Sequence, residues 1–357
     1  MKKFTKLQFE EYDNDEYKPD DIKYKNYDRY IGGTMSKRFI RLDSSELKGF
    51  FSAKRHKNNS YVSCLDDFIA ENMQDTNKDI PIKYVSVLLK RQRTSEDFEH
   101  VSKDVVGSRL ANLFGVPTVY NDFACDNSGY ENEYYLISVD FVKNGQTIDN
   151  FEDTDDRHTN LDSFSSFEDW ERYVRKRLTE IMAEDEIKEM HKNPNYICRT
   201  EEEKETIINN FLNEFVEHYI FRILIVDDMD FKPRNITYIK EEDNGKLNYI
   251  LAPANDFEFV CSFRRQDLME SNVSESLEYL CAKYPQVTAN FMERLKKRII
   301  KNGHVNETKI DNIFDSVMKH RDYYKYMSSR LSLNIDKVIE TYDTIFQKSL
   351  GGNGIVD

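Results

Sequence analysis

The chain has 357 residues, 39% hydrophobic and 13% aromatic, enough apolar material for one large domain or two lobes with a sizeable core. With 65 acidic against 51 basic residues the net charge is −14, which argues against nucleic acid as the main partner, because that binding rests on Lys and Arg neutralising phosphates. No apolar run approaches the ~20 residues of a membrane span, the opening MKKFTKLQFE has no apolar signal core, and the five cysteines (Cys64, Cys125, Cys198, Cys261, Cys281) form neither a disulfide framework nor a zinc pattern. These features fit a reducing, cytoplasmic compartment and no membrane partner.

Residues 1–29 are polar and read as an arm. Tyr30-Ile31-Gly32-Gly33-Thr34-Met35-Ser36-Lys37 follows and leads into Arg38–Leu42, which alternates like a strand. Gly32 and Gly33 would let backbone amides approach a phosphate that Lys37 could reach. The motif is neither G-x-G-x-x-G nor a Walker loop, and a plain hairpin turn satisfies it equally. Residues 43–83 read as a polar insertion with a short helix around Leu65–Met73. Tyr84–Lys90 is a strand ending in a lysine, which either meets the phosphates or ends at the surface like Arg91 and Arg93 after it.

Ser95–Phe114 reads as a helix with Val101, Val105, Leu110, Leu113 and Phe114 as its apolar stripe, stopped by Gly115. Val116–Asn121 and Tyr134–Val139 read as paired strands. Residues 142–165 are acidic and turn-rich, a solvated linker or lid. Ser165 with Glu168 spells a capping box for a helix carrying Phe167, Trp170, Val174, Leu178 and Ile181 on one face. Thr200 with Glu203 spells a second, for a helix burying Ile207, Ile208, Phe211, Leu212, Phe215, Tyr219 and Leu224. After Val260 the spacing is helical, over Phe291–Ile300, Ile310–Met318 and Leu331–Phe346, with a frayed tail.

The chemistry concentrates between Phe221 and Val260. An apolar run delivers Asp230, Lys232, Pro233 and Asn235; a hairpin follows, and Asp256-Phe257 closes the stretch 26 residues after Asp230. An Asp followed five residues later by an Asn, then by a second Asp before a Phe, is the spacing of a phosphoryl-transfer loop. That reaction needs positioning and cations more than covalent help. Magnesium takes hard oxygen ligands and only one or two carboxylates from the protein, which Asp256 and Asn235 would supply. Asp230 would accept the substrate hydroxyl proton, and Lys232 would add positive charge beside the transferring phosphate. A β-hairpin with polar ends is the bland alternative.

Asp230–Asn235 resembles the D-L-K-P-E-N loop of eukaryotic protein kinases, and Asp256-Phe257-Glu258 their D-F-G with Glu for Gly. The setting is more similar to the HipA-like serine/threonine kinases, in which an apolar helix ends in D-x-x-x-x-N and a strand L-x-P-x-x-D carries the metal-binding Asp; Leu251–Asp256 fits the latter. Lys232 stands where those loops often have His. The resemblance implies an α+β, two-lobed kinase-like fold, with a β-rich lobe over 1–139 and a helical lobe over 140–357. It places Gly32, Gly33 and Lys37 at the nucleotide phosphates and Lys90 in the position of the kinase V-A-I-K lysine, with Asp104 as its partner in an E-x-x-G-like pattern ending at Gly107. Gly115-Val116-Pro117 matches the family's helix ending, and Asp140 its hinge between lobes. About thirty residues precede the Gly loop, so the family's extra N-terminal subdomain is expected to be absent.

The implied activity is ATP- and Mg2+-dependent phosphorylation of a protein serine or threonine. The protein substrate is unidentified, a cognate regulator or antitoxin is a candidate partner, and the setting is cytoplasmic or, for a secreted effector, a host cytosol. Thr34 and Ser36 are candidate autophosphorylation sites within the Gly loop. The alternatives are a nucleotide-binding pseudokinase used as an interaction module, which the Glu at 258 keeps open, and a kinase-fold enzyme that transfers AMP.

Overall fold

A computed structural model of the protein describes residues 37–43, 84–91, 95–119, 121–126, 133–139, 146–151, 166–228, 231–257, 260–261, 266–317 and 321–351. The architecture mixes helix and strand. β1 (Lys37–Asp43), β2 (Tyr84–Arg91), β3 (Asn121–Asp126) and β4 (Glu133–Val139) form one sheet in the order β1-β2-β4-β3. Its neighbours are all antiparallel, with Lys37 opposite Lys90, Lys90 opposite Leu136 and Asn121 opposite Ser138.

Helix α1 (Ser95–Phe114) runs between the strands of this sheet in sequence but packs its apolar side into the helical body. Val101, Val105, Leu110 and Phe114 are fully buried and Leu113 partly so, as the spacing predicts. The helix ends at Gly115, which takes φ +80, a left-handed turn that costs glycine little. The Val116 amide closes back onto the Ala111 carbonyl at 2.9 Å. Two arginines complete the cap: Arg294 donates to the Phe114 carbonyl at 3.3 Å and Arg298 to the Asn112 carbonyl at 2.9 Å. Positive charge at the helix C-terminus also complements its dipole.

The strand expected over Val116–Asn121 is not there; β3 begins at Asn121. Pro117 has no amide to donate, so this stretch pairs through other groups. The Pro117 carbonyl accepts from the Ala254 amide at 2.9 Å and the Val119 amide donates to the Ala254 carbonyl at 3.0 Å, a parallel bridge to a distant segment. Nor is the stretch 142–165 wholly a linker. β5 (Thr147–Asn150) adds an edge to the hairpin of β6 (Thr237–Asp243) and β7 (Lys246–Leu251), giving the order β5-β6-β7. A four-residue edge strand with a polar sequence leaves little periodicity to read. The hairpin turns on Asn244-Gly245, both at positive φ (53° and 76°), the geometry of a two-residue type I′ loop.

Helix α2 (Phe167–Lys192) is capped by Ser166 with Asp169, one residue on from the expected Ser165 and Glu168. Phe167 is fully buried and the cap falls on the residue before it, while Glu168 stays exposed beside Arg172. Helix α3 (Glu201–Tyr219) has the predicted Thr200–Glu203 box and the predicted buried face. α4 (Gln266–Lys283), α5 (Pro285–Ile299), the small pair β8 (Ile300–Lys301) and β9 (His304–Val305), α6 (Glu307–Val317) and α7 (Arg321–Gly351) complete the helical body. One hydrophobic cluster runs from α1 through α2 and α3 to α7. Among the described residues no helix is long and apolar enough to cross a membrane.

Two buried ion clusters stiffen this body. Glu171 of α2 meets Arg175 at 2.8 Å, the Tyr279 hydroxyl at 2.8 Å and Lys283 at 2.9 Å, and these partners outweigh burial to hold its carboxyl below the usual range. Asp185 meets Lys240 of β6 at 2.7 Å and the Tyr249 hydroxyl at 3.2 Å, tying α2 to the hairpin.

Candidate functional site

After α3 the chain does not continue as an α-helix. Residues Ile220–Ile225 form a π-helical segment, with the Val226 amide reaching the Phe221 carbonyl at 3.0 Å. The wider turn frees carbonyls for other partners: Arg222 O takes the Asp228 amide at 2.8 Å, and Ile225 O takes Asn334 of α7 at 3.2 Å. Such segments are rare and often sit at functional sites. Two buried acids follow, Asp227 and Asp228.

Beyond them, Phe231 stacks on Trp170 at 5.0 Å and on Phe215 at 5.9 Å, which pins the loop to α2 and α3. Pro233 opens a short 3-10 turn through Asn235, whose amide donates to the Lys232 carbonyl at 2.8 Å. The side chains of Lys232 and Asn235 are half-buried. The β6–β7 hairpin then returns the chain. The Ala252 amide donates to the Thr237 carbonyl at 3.0 Å, and Asn255 Nδ2 donates to Thr237 Oγ1 at 3.2 Å. Asn235 and Asp256 therefore emerge at one end of the hairpin. The residues between are gripped from the other side by Pro117 and Val119, and by Thr118 Oγ1, which donates to the Ala254 carbonyl at 2.9 Å.

Asp256 itself takes φ 58. Five described non-glycine residues have positive φ; Asn244 and Asn302 sit in tight turns where Asn is tolerated, and the other three are Asp227, Asp256 and Cys261. Two of these are brought together, for the Cys261 amide donates to the carbonyl of Val226, next to Asp227, at 2.6 Å. Strained backbone held by its surroundings clusters at functional sites. Burial raises the Cys261 thiol, with Asp227 and Asp228 adding to the rise, so it stays protonated. Burial, with the Arg222 charge, lowers His218 to about 3, so this histidine is neutral in the fold.

The turn at Asp256 sends Phe257 into α1. Its amide donates to Asp104 Oδ1 at 2.5 Å, and both residues are fully buried. One turn along, a Cβ built on Gly107 would lie 2.4 Å from Phe257 Cβ and 2.5 Å from Cγ. The spacing of Asp104 and Gly107 thus has a direct physical cause: one holds the Phe257 amide, the other makes room for its ring.

Sequence reasoning missed Arg222. Its side chain is 1% exposed and touches both halves of the site. Nε donates to Asp228 Oδ2 at 2.7 Å, Nη1 to the Asn255 carbonyl at 3.0 Å and Nη2 to the Asp256 carbonyl at 2.9 Å. The guanidinium lies over the Phe231 ring at 4.7 Å and the Phe257 ring at 5.0 Å. A lone arginine inside the apolar run Ile220–Val226, followed by two acids, was the signal available.

Lys232 and Asn235 precede β6 and Asp256 follows β7, while Asp104 of α1 bonds the Phe257 amide next to Asp256. Lys37 and Lys90 are placed by backbone at opposite positions of the β1–β2 ladder. Gly32, Gly33, Thr34, Ser36, Asp140, Asp230 and Glu258 lie outside the described residues, as do the 44–83 insertion and its expected helix. Among the described residues no three His, Cys, Asp or Glu side chains cluster as a metal site. Magnesium takes as few as one or two carboxylates from a protein, and Asn235 and Asp256 carry hard oxygens of that chemical type.

No protein-family model matches the chain, and no curated protein matches it either. Among solved structures it is similar to the Helicobacter pylori proinflammatory kinase CtkA, at 12% identity and TM-score 0.44, covering 74% of this chain and 92% of that one. It is also similar to HipA of Shewanella oneidensis, solved with HipB and operator DNA, at 11% identity and TM-score 0.40, covering 72% of this chain and 60% of that one. At this identity and TM-score the likenesses assign neither family nor activity.

Proposed function

We propose that the chain is a two-lobed, HipA-like kinase that transfers the γ-phosphate of ATP to a serine or threonine of a protein, with magnesium. The observation that carries this reading is the hairpin geometry. Thr237 holds Ala252 and Asn255, so Asn235 and Asp256, 21 residues apart in sequence, converge at one hairpin end. A second support is the Asp104–Phe257 bond, which fixes the segment carrying Asp256 to the helix after β2.

In this reading Asp256 and Asn235 hold the metal, which when bound neutralises charge on the phosphate oxygens. Asp230 accepts the proton of the attacking hydroxyl and orients its oxygen. Lys232 offsets charge developing on the phosphoryl group. Lys37 and Lys90, paired across the β1–β2 ladder, supply positive charge for the α- and β-phosphates in the same reading. Gly32 and Gly33 let backbone amides join them.

The test is incubation of the full chain with γ-labelled ATP and magnesium, with and without lysate, followed by mass analysis of the products. Added mass of one phosphate on protein, lost in Asp230→Asn and Asp256→Asn, is the expected result. A nucleotide adduct would replace the reading with AMP transfer, and nucleotide binding without transfer would replace it with a pseudokinase.

A further inference from the structure

The site has two halves from separate stretches of chain, and one buried side chain joins them. Arg222 reaches Asp228 and the Phe231 ring on one half, and the Asn255 and Asp256 carbonyls and the Phe257 ring on the other. Both halves carry strained backbone, at Asp227 (φ 45) and Asp256 (φ 58). Strained conformations persist only where their surroundings over-determine them. A left-handed residue turns its carbonyl away from the ordinary course, and here the Asp256 carbonyl meets Arg222 Nη2 at 2.9 Å. The arginine in turn sits where it does because of the π-helical segment Ile220–Ile225.

We propose that Arg222 is the positioning residue of this site: its planar fork, charge-paired to Asp228 and bonded to two main-chain carbonyls, sets Asp228 and Phe231 against the Asp256 segment. Among the described residues the bonds of Arg222 go to Asp228 and to the Asn255 and Asp256 carbonyls, and it acts through the backbone of Asp256 and through Phe231. Its shape is essential to the role, because the fork reaches three acceptors at once while the guanidinium lies over two aromatic rings. A lysine carries the same charge but is a point donor on a flexible stem, so it cannot bridge the acceptors together. The role rests on the phosphotransferase reading for its chemical consequence and on the contacts alone for its structural one.

The test compares Arg222→Lys with wild type in the full chain, by two measurements. The first is amide hydrogen exchange of peptides covering 226–236 and 251–257. Both should exchange at least tenfold faster in the variant, together, while peptides of α5 and α7 are unchanged. The second is kinetic. With magnesium and ATP, kcat should fall about 100-fold, the scale of a ~1 Å misplacement. Half-saturation by magnesium should rise, while nucleotide affinity without metal holds within threefold. A fold merely weakened would instead recover kcat on cooling and keep its metal dependence. If the wild type transfers phosphate and Arg222→Lys does so with unchanged kcat and metal dependence, the inference falls and the kinase reading stands. If the wild type transfers nothing, the exchange result alone decides: joint loosening of the two peptides upholds the positioning role, and unchanged exchange overturns it.

Discussion

Replacing Gly107 by alanine isolates the contact between α1 and the segment carrying Asp256. In a helix interior the change normally stabilises, by ~1 kcal/mol, since glycine is the poorer helix former. Here the new methyl would sit 2.4 Å from Phe257 Cβ and 2.5 Å from Cγ. Carbon atoms are comfortable at ~3.5–4.0 Å, so something must move by roughly 1 Å. Phe257 cannot easily yield. Its amide is held by Asp104 at 2.5 Å, its ring packs edge-on against Phe221 at 5.9 Å, and Arg222 lies over it at 5.0 Å. Overpacking of a filled core costs about 1–3 kcal/mol, and a clash at Cβ and Cγ falls at the upper end. Subtracting the helix gain leaves a net loss of about 2 kcal/mol. The assay is urea unfolding of wild type and Gly107→Ala, read from the midpoint at equal slope. Because the two effects have opposite signs, the sign decides. A variant more stable than wild type would show that helix propensity acts alone and that Phe257 is not packed against Gly107.

Asp104→Ala should leave the buried Phe257 amide without its acceptor and destabilise by about 1–3 kcal/mol in thermal melts, while Asp104→Asn, which keeps an acceptor oxygen, should recover most of that. His218, lowered to about 3 by burial and by Arg222, gives a pH dependence of definite sign. The unfolded chain takes up this proton below about pH 6.5 and the fold does not, so the contribution is complete above pH 6.5 and is lost as pH falls towards 3. Over the 1.5 units down to pH 5 the loss is about 2 kcal/mol, and His218→Gln should show that much less acid sensitivity than wild type in urea titrations at pH 7 and 5.

Local patterns along the chain determined much of this protein. The stripe of α1, the Thr200–Glu203 box, the buried faces of α2 and α3 and the hairpin between Asn235 and Asp256 follow from spacing that each segment carries by itself. The spacing behind the proposed phosphoryl transfer is legible for the same reason, since a five-residue loop spacing is a local fact. What the tertiary structure decided is how distant segments meet. Ser165–Glu168 and Ser166–Asp169 are nearly equivalent as patterns, and the second caps α2 because packing fixes where Phe167 goes. Val116–Asn121 reads as a strand for β4, yet Pro117 and Val119 bond Ala254, which no local signal could name. Asp104 shows its function only when Phe257, 153 residues away, donates its amide. Arg222 looks like an interruption of an apolar run until the π-helical segment turns it between Phe231 and Phe257. Periodicity reports which face of an element is buried, because that depends on neighbours three or four residues away. A buried polar group is explained only by the partner that satisfies it, and in this fold that partner often comes from a distant part of the chain.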